Sequence, residues 1–476
     1  MPRTTPKTRP RTTRKSKTPR ARPRPTGWLT TDADEVERRR LRAEQEPMAI
    51  EPVDGADPFF GDFRVQSGAK AYRVEIRSLG ALVNSCDCAD HRVNGLGTCK
   101  HVEAVLQWLG SRQRRAFVRA AAAGSPWFEV YLDRRDQRVH LEAPHDKGRS
   151  RAGALLAGYD GGDGILAGNP LDTLPALLRA VDAAHPATRR RIRISPALRA
   201  WLEEQDRCEE RRRHRQHVEA EIAAGRLDLN LVHHALYPYQ QEGMLHLALT
   251  GRALLADEMG LGKTVQAVAA CELLRRSAGI RRVLVVSPAS LKGEWEEQIA
   301  KFTTLPSRII HGPRAERERE YAAPAFFYLA NYEQIRPDVT AINTILAPDV
   351  VILDEAQRIK NWQTRTAAAV KSLQSPYAFV LTGTPVENRI DEIYSIAEFL
   401  DPHIFGPLFR FNRDFYQLDD KGRAIGYQNL DQLHERLRPV MLRRRKDEVE
   451  GQLPGRTINT YFVPARKPVF PGKFPA

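Results

Sequence analysis

The chain has 476 residues, 42% of them hydrophobic, which is enough for about three domains with buried cores. Its 74 Lys and Arg outnumber its 59 Asp and Glu, so the formal net charge is +15 and the pI is near 9.7. This composition excludes a disulfide-stapled miniprotein and, since no stretch approaches the ~18 apolar residues of a membrane span, an integral membrane protein, while the basic excess favours polyanionic partners.

The positive charge is concentrated at the N-terminus. Residues 1–25 hold ten basic residues, six prolines and no acidic residue, so they account for ten of the fifteen excess charges. Such a segment cannot bury enough apolar surface to fold. It also lacks the apolar core of a secretion signal and the amphipathic pattern of a transit peptide. We predict a disordered basic arm over residues 1–27, which contacts phosphates or only keeps the chain soluble.

A charged helix and a small compact unit are expected next. The helix covers about residues 32–46, and the compact unit covers residues 61–115. Within that unit, apolar and charged side chains alternate over residues 72–77, which predicts a half-buried strand. A second short strand is expected at 79–84, and the apolar spacing after Cys99 predicts a helix.

The pattern changes at about residue 231. Residues 116–230 contain a strand-like piece at Trp127–Leu132 and Arg/Glu-rich helices, but no motif that assigns them a chemistry. After residue 231, short apolar runs alternate with longer helical segments, which indicates a parallel sheet with helices on both faces. The predicted strands are Ala253–Ala256, Val283–Val286, Phe326–Ala330, Val350–Leu353 and Ala378–Leu381.

Three of the five cysteines cluster with a histidine. Cys86-x-Cys88 and, after ten further residues, Cys99-x-His101 supply three thiolates and one imidazole, which is the ligand set of a closed tetrahedral zinc site. Clustered cysteines in a chain without an export signal more often bind metal than form disulfides. His91 is a rival fourth ligand, but the start of a helix favours His101. The alternative is three unrelated buried cysteines.

The clearest motif is a phosphate-binding loop. The strand at Leu254–Ala256 runs into Asp-Glu-Met-Gly-Leu-Gly-Lys-Thr at residues 257–264, and an apolar helix follows. In such a loop the backbone N–H groups and the helix N-terminus hold phosphates, while Lys263 reaches the β/γ oxygens and Thr264 coordinates Mg²⁺. Asp257 stands where the general pattern has glycine.

An acidic pair follows a buried strand about ninety residues after that loop. Asp354 suits Mg²⁺ binding, and Glu355 would then polarise the attacking water. An aspartate after a strand is also common as an ordinary helix N-cap. The upstream phosphate loop favours the magnesium role.

In this order, the motifs resemble those of Swi/Snf-type ATPases of helicase superfamily two, in which an aspartate at the position of Asp257 is usual. The resemblance covers about residues 231–456. The segments that carry it are residues 257–264, 354–361 and 381–385, Tyr239 with Gln240, Ser287 and Pro288 with Trp295, and residues 331–333, 396–402 and 442–447.

The resemblance implies a RecA-like first helicase lobe with ATP and Mg²⁺ as cofactors and duplex DNA as a track that is followed without separating its strands. Glu355 and Lys263 are the implied catalytic residues. Thr382 and Thr384 would couple nucleotide state to DNA contact, and Lys360 with Asn361 would face the DNA backbone or solvent. The implied nucleotide-binding residues are Gln240, which reads adenine, Asp257, Gly260, Gly262, Lys263, Thr264 and Asp354, of which Thr264 and Asp354 hold magnesium.

The cysteine–histidine spacing, between strands and a helix, resembles the SWIM zinc finger, whose family role is binding DNA or protein. Zinc is therefore a further expected cofactor, and a protein partner of the finger is a further expectation. The expected organisation is a basic arm (1–27), a ββα SWIM-type finger (61–115), a connecting region (116–230), a RecA-like lobe (231–402), a helical extension (403–457) and an unstructured tail (458–476).

Swi/Snf-type ATPases have a second lobe with arginines that stabilise the transferring phosphate. Residues 464–476 do not resemble that lobe, so we expect a chain interrupted before it, and an ATPase that is inactive or dependent on a partner. The alternative is a non-hydrolysing DNA- and zinc-binding protein with residual nucleotide binding. The ordered motifs argue against a third reading, a self-sufficient kinase or metabolic NTPase. In a bacterium the expected location is the cytoplasm, on the nucleoid.

Overall fold

The structure, a computed structural model, describes residues 30–53, 57–145, 150–359, 364–383, 390–419 and 423–452. It divides into a first unit, Met1–Ala200 with Phe405–His434, and a second unit, Trp201–Ile404 with Glu435–Ala476. The predicted basic arm and the predicted tail lie outside the described residues. Within the described ranges, no helix has the length and apolar character needed to cross a membrane.

The described part of the first half of the chain forms two small sheets and helices of 4 to 27 residues. Strands β1 to β4 make an antiparallel sheet in that order, and β5 pairs with β6 antiparallel and with β7 parallel. The elements are α1 Asp32–Gln45, β1 Met48–Pro52, β2 Gly61–Ser67, β3 Lys70–Ile76, β4 Ser85–Cys86, α2 Ala89–Val93, α3 Lys100–Arg112, α4 Arg114–Ala123, β5 Phe128–Asp133, β6 Arg138–Glu142, α5 Arg151–Ala157, α6 Pro170–Ala183, α7 Pro186–Arg189, β7 Ile192–Ile194 and α8 Ala197–Ala223.

The predicted helix after Cys99 is confirmed as α3, and its apolar stripe packs on one face of the β1–β4 sheet. Val102 and Val105 of the helix and Val65 and Val74 of the sheet are all fully buried in one cluster. Burying a side chain of this size stabilises a fold by about 1.5–3 kcal/mol. The four cysteine and histidine positions are therefore carried between a sheet edge and a packed helix.

The prediction of a half-buried strand at residues 72–77 is wrong for its charged side. Glu75 and Arg77 are only 5% and 3% exposed. The cause is the second small sheet, because Ser195 Oγ donates to Glu75 Oε1 at 3.1 Å and the Arg77 guanidinium lies 3.6 Å from the Glu129 carboxylate. Both faces of β3 are thus covered at its carboxyl end, one by apolar side chains and one by ion pairs, whereas Arg73 earlier in the strand is exposed.

The strand predicted at residues 79–84 is also wrong. Residues 78–84 form a turn in which Asn84 Oδ1 accepts hydrogen bonds from the backbone N–H groups of Arg77 at 2.8 Å and Ser78 at 3.0 Å. Asn and Ser side chains favour such local bonds over a strand ladder. The strand there is only the two-residue β4.

The second half of the chain contains a seven-stranded sheet. Its remaining elements are α9 Pro238–Thr250, β8 Arg252–Leu255, α10 Lys263–Ser277, β9 Val283–Ser287, α11 Lys292–Phe302, β10 Ser307–Ile309, α12 Arg314–Ala322, β11 Phe327–Asn331, α13 Tyr332–Ala341, β12 Val350–Asp354, α14 Arg365–Val370, β13 Tyr377–Leu381, α15 Ile390–Leu400, α16 Leu408–Phe415, β14 Tyr416–Leu418, β15 Ala424–Tyr427, α17 Leu430–Leu437 and β16 Met441–Leu442. The antiparallel pair β14–β15 belongs to the first unit.

The large sheet has the order β10-β11-β9-β12-β13-β8-β16, and every neighbouring pair is parallel. Side chains of each central strand alternate between two buried apolar clusters, one on each face; Leu254 and Leu255 are an example. The predicted α/β class, a RecA-like parallel sheet covered by helices on both faces, is confirmed. The five predicted strands are all present, and the sheet gains the two edge strands β10 and β16.

Candidate nucleotide and metal sites

The sequence motifs of the second unit meet at one edge of its sheet. All seven strands are parallel, so their carboxyl ends lie on the same side. The segments at that edge are residues 256–262 after β8, Thr382 with Gly383 after β13, Asp354 with Glu355 at the end of β12, Pro288 after β9, and Asn331 with Tyr332 at the end of β11. Groups that are up to about 130 residues apart in sequence are thereby gathered at one edge.

The loop between β8 and α10 has the backbone form of a phosphate cradle. Gly260 and Gly262 have positive φ angles of 90° and 73°, and Gly262 is the N-cap of α10. A Cβ at Gly262 would lie 2.7 Å from Gln240 Nε2, so a side chain there is excluded by space as well as by conformation. The first N–H groups of a 15-residue helix are therefore available to an anion.

Lys263 holds its ammonium over this loop. Its Nζ donates to the backbone carbonyl oxygens of Asp257 at 2.9 Å and Glu258 at 3.4 Å. Burial lowers the pKa of Lys263, and the negative charges of Glu355, Asp257 and Asp354 oppose that shift. A partly desolvated cation is a stronger partner for phosphate than a fully hydrated one. A Cβ at Gly383 would lie 3.1 Å from Lys263 Nζ, so the backbone of the segment after β13 also lies close to this ammonium.

Asp257, the residue that replaces the usual glycine, is fully buried in an ion pair with Arg444. The Arg444 guanidinium donates to Asp257 Oδ1 at 3.1 Å and to Oδ2 at 2.6 Å, and the backbone N–H of Arg444 also donates to Oδ1 at 3.1 Å. Gln266 completes the group, since its Nε2 donates to Asp257 Oδ2 at 3.2 Å and its Oε1 accepts from Arg444 at 3.0 Å. The aspartate thus ties the start of the loop to the segment after β16.

Sequence reasoning missed the roles of Arg444 and Gln266. A Cβ at Gly243 would lie 1.7 Å from Gln266 Oε1 and 2.8 Å from Arg444 Nη2, so α9 leaves room for this network only because it has glycine there. A buried carboxylate requires a partner of opposite charge, so Asp257 was itself a signal. Its partner lies 187 residues away, and no local pattern identifies it.

Asp354 is supported by two residues of the other motifs. Trp295 Nε1 donates to Asp354 Oδ2 at 2.8 Å, and the Tyr332 hydroxyl donates to the Asp354 backbone carbonyl at 2.8 Å. Burial raises the pKa of Asp354, and the hydrogen bond from Trp295 acts in the opposite direction. One carboxylate oxygen is fixed by the indole, and the other accepts the backbone N–H of Glu355 at 2.9 Å. A carboxylate with fixed orientation is suited to hold a divalent cation.

Glu355 has an unusual backbone conformation, with a φ of 50°. Left-handed conformations of non-glycine residues are costly and concentrate at functional sites. Its carboxylate accepts from Gln357 Nε2 at 2.6 Å, and Thr382 Oγ1 lies 3.5 Å from Gln357 Oε1. Gln357 therefore stands between Glu355 and Thr382, which belongs to the segment expected to sense DNA.

Gln240 lies against the phosphate loop. It is buried, its Oε1 accepts from the Tyr237 backbone N–H at 3.1 Å, and its Nε2 lies 3.5 Å from the Leu261 carbonyl oxygen. Thr264, the second residue of α10, is half-buried beside Lys263. The predicted DNA-facing residues Lys360, Asn361 and Thr384 lie outside the described residues.

The four predicted zinc ligands come together in the first unit. One ligand atom from each of Cys86, Cys88, Cys99 and His101 lies within 4.8 Å of the others, and all four residues are buried. His101 Nδ1 is 3.7 Å from Cys86 Sγ and 3.9 Å from Cys99 Sγ. Ligand atoms on a tetrahedral zinc are about 3.5–3.8 Å apart. The rival His91 is not in this group, because its ring Nε2 is 2.9 Å from the Asn84 carbonyl oxygen.

The thiols by themselves form an unfavourable cluster. Burial raises the pKa of the Cys99 thiol well above its usual value, whereas hydrogen bonds from Cys86 and Cys99 lower that of Cys88. Three thiolates cannot share this buried volume without a cation between them. The donor set therefore fits zinc, with the Tyr72 ring stacked on His101 at a centroid distance of 4.2 Å.

Comparisons with known proteins give similarity over about half of the chain. At 33% identity, 48% of this chain matches 13% of the TATA-binding protein-associated factor mot1 of Aspergillus fumigatus. The putative ATP-dependent helicase/translocase YwqA of Bacillus subtilis is also 33% identical, over 48% of this chain and 26% of that protein. The solved SWI2/SNF2 ATPase core of Sulfolobus solfataricus in complex with dsDNA is 32% identical over 48% of each chain, with a TM-score of 0.43.

The chain thus spans about a quarter or less of these curated relatives. The family comparison covers more of it, because the family model described as the SNF2-related domain matches residues 101–468, which is more than half of the 476 residues. That range includes the phosphate loop, Asp354 with Glu355, and Arg444. The chain belongs to the SNF2-related domain family.

Proposed function

We propose that this chain carries the nucleotide-binding lobe of a Swi/Snf-type ATPase that converts ATP to ADP and phosphate, is stimulated by duplex DNA, and uses the energy to translocate on or remodel its substrate. The observation that carries the proposal is the convergence of Lys263, Asp354 and Glu355 at the carboxyl edge of one parallel sheet. The similarity to YwqA, which is named a putative ATP-dependent helicase/translocase, supports it. In a bacterium such an enzyme works in the cytoplasm, on the nucleoid.

Each residue has a chemical part in this proposal. The N–H groups at the start of α10 and the Lys263 ammonium bind the phosphates, while Thr264 and Asp354 would hold Mg²⁺, which supplies charge neutralisation for the leaving phosphate. Glu355 orients and deprotonates the attacking water. Gln240 lies next to the loop, where it would contact the adenine.

Two further residues act by positioning. The indole of Trp295 fixes the Asp354 carboxylate, and Gln357 fixes the Glu355 carboxylate at 2.6 Å. Because Gln357 also lies within reach of Thr382, a DNA-dependent shift of that segment would move the catalytic carboxylate. This supports stimulation by DNA as a property of the same edge.

We also propose that Cys86, Cys88, Cys99 and His101 hold one zinc ion, which would stabilise the finger and orient it toward DNA or a protein partner. With four protein ligands no position is left for a reacting water, so the zinc would be structural.

The test is ATP hydrolysis by the purified chain with and without duplex DNA, beside Lys263→Ala and Glu355→Gln. DNA-stimulated turnover that both variants abolish supports the proposal. Turnover that survives in Lys263→Ala contradicts it. If no sample turns over, the result favours the non-hydrolysing DNA- and zinc-binding protein.

A further inference from the structure

A cavity of about 330 Å³ opens in the first unit, where the charged face of β2 and β3 meets β7. The residues that matter here are Asp62, Arg73, Trp127, Arg190 and Arg193. The volume is at the lower end of the range of small-ligand pockets. Trp127, Arg190 and Arg193 belong to the connecting region 116–230, whose sequence assigns it no chemistry, whereas Asp62 and Arg73 belong to the unit that carries the zinc ligands.

The lining is strongly basic. Its charged side chains are three arginines and one aspartate. The Asp62 carboxylate binds two of these arginines. Its Oδ1 accepts from Arg193, and its Oδ2 accepts from Arg73 Nε at 3.0 Å. Although burial opposes the shift, these two guanidinium groups hold the pKa of Asp62 below its usual value, so the carboxylate stays charged. The lining therefore has a formal excess of two positive charges.

Arg190 is the cation that remains available. It is exposed, and its guanidinium has no hydrogen bond or ion pair to any residue that the structure describes. Arg193, in contrast, is fixed from behind, since it also donates to the Ile76 carbonyl oxygen at 3.0 Å and to the Glu129 carboxylate at 3.3 Å. One exposed guanidinium thus lies beside two that are bound to Asp62.

Trp127 adds an aromatic wall to the same cavity. The ring is half-buried, and the Arg193 guanidinium carbon lies 5.8 Å from its centroid. Its indole N–H has no acceptor among the described residues. Ile192 and Ile194 of β7 supply apolar lining beside it. An aromatic ring next to guanidinium groups is the combination that binds a base and its phosphate.

We propose that this cavity binds one nucleotide unit of single-stranded DNA, with the phosphate at Arg190 and Arg73 and the base against Trp127. A concave site with an aromatic wall needs an exposed base face, which a stacked duplex does not offer. The site is independent of the nucleotide site in the second unit, and would let the chain engage gaps or ends in the duplex.

The experiment is fluorescence anisotropy of the full chain with a labelled single strand of about 20 nucleotides, and with the matching duplex, over a range of salt concentrations. Arg190→Ala should weaken single-strand binding. It should also lower the magnitude of the slope of log K against log salt concentration by about 0.7, the value of one phosphate contact on a single strand. Trp127→Ala should weaken it by about 5- to 150-fold, the value of one stacked base, and Trp127→Phe should retain part of the affinity.

Arg189→Ala is the matched control, because Arg189 is also exposed, precedes Arg190 in sequence and does not line the cavity. It should bind single strands more tightly than Arg190→Ala, and duplex binding should be the same in all variants. The proposal is overturned if Arg190→Ala binds single strands as Arg189→Ala does, or if the loss is equal for the duplex. Because Arg190 is exposed, its variant keeps the test valid even if Trp127→Ala does not fold.

Discussion

Replacement of Arg444 by methionine should destabilise the second unit severely, although Arg444 touches no substrate in this account. The change removes the guanidinium and leaves Asp257, which is fully buried, with only Gln266 Nε2 at 3.2 Å and the backbone N–H of residue 444 at 3.1 Å. Removing one partner of a buried ion pair costs about 3–5 kcal/mol, because the remaining charge stays desolvated. We expect that loss in the free energy of unfolding.

The assay is urea unfolding combined with hydrogen exchange of the peptides that contain β8 and α10. Arg444→Met should unfold at a lower urea concentration, and the exchange of both peptides should accelerate. The double variant Arg444→Met with Asp257→Asn should lose much less stability than the sum of the two single variants, because it leaves no unpaired charge.

Arg445→Met is the matched control, because Arg445 follows directly and its side chain is exposed. It should change stability by no more than about 1 kcal/mol. If Arg444→Met unfolds as the unchanged protein does, or if the two single effects add fully in the double variant, the Asp257–Arg444 pair does not hold the phosphate loop and the reasoning fails.

Three other predictions use separate parts of the chain. Cys88→Ser should lower the zinc content, measured by atomic absorption, from about one ion per chain to near zero; a metal-free, fully folded parent protein would refute the zinc assignment. Deletion of residues 1–25 should lower the magnitude of the slope of log K for duplex binding against log salt concentration by several units, because up to ten cations lose their phosphate contacts. An unchanged slope would exclude a role for the arm. Trp295→Phe, which removes the N–H donor to Asp354 but keeps an aromatic ring, should lower Mg²⁺-dependent turnover by about 10-fold or more, whereas unchanged turnover would show that the bond positions nothing.

The sequence predicted the second unit well because its signals are local. Continuous apolar runs such as Val350–Leu353 identify buried parallel strands without reference to the rest of the chain. The motif residues stand directly after those runs, so their meeting at one sheet edge follows from the class of fold. The strand β16 was missed because two residues are too few to show an alternation or run of apolar side chains. Its position depends instead on pairing with β8.

The first unit was predicted less well because its charged groups pair over long distances. Glu75 and Arg77 have the alternation of a solvent-facing strand side, yet they are buried by Ser195 and Glu129, which lie 120 and 52 residues further along the chain. No periodicity distinguishes a charge that faces water from one that faces an opposite charge. The cysteine–histidine group, in contrast, was predictable because its ligand types and spacing are themselves the signal.

The most direct test of the central claim, that the carboxyl edge of the large sheet is a magnesium–ATP site, is equilibrium binding of ATP by calorimetry with and without Mg²⁺. This measurement does not require turnover. The unchanged chain should bind ATP more tightly with Mg²⁺ than without it, Lys263→Ala should lose at least about 10-fold in affinity, and Asp354→Asn should lose the effect of Mg²⁺. Equal affinities for the unchanged chain and Lys263→Ala, or binding indifferent to Mg²⁺, would contradict the account.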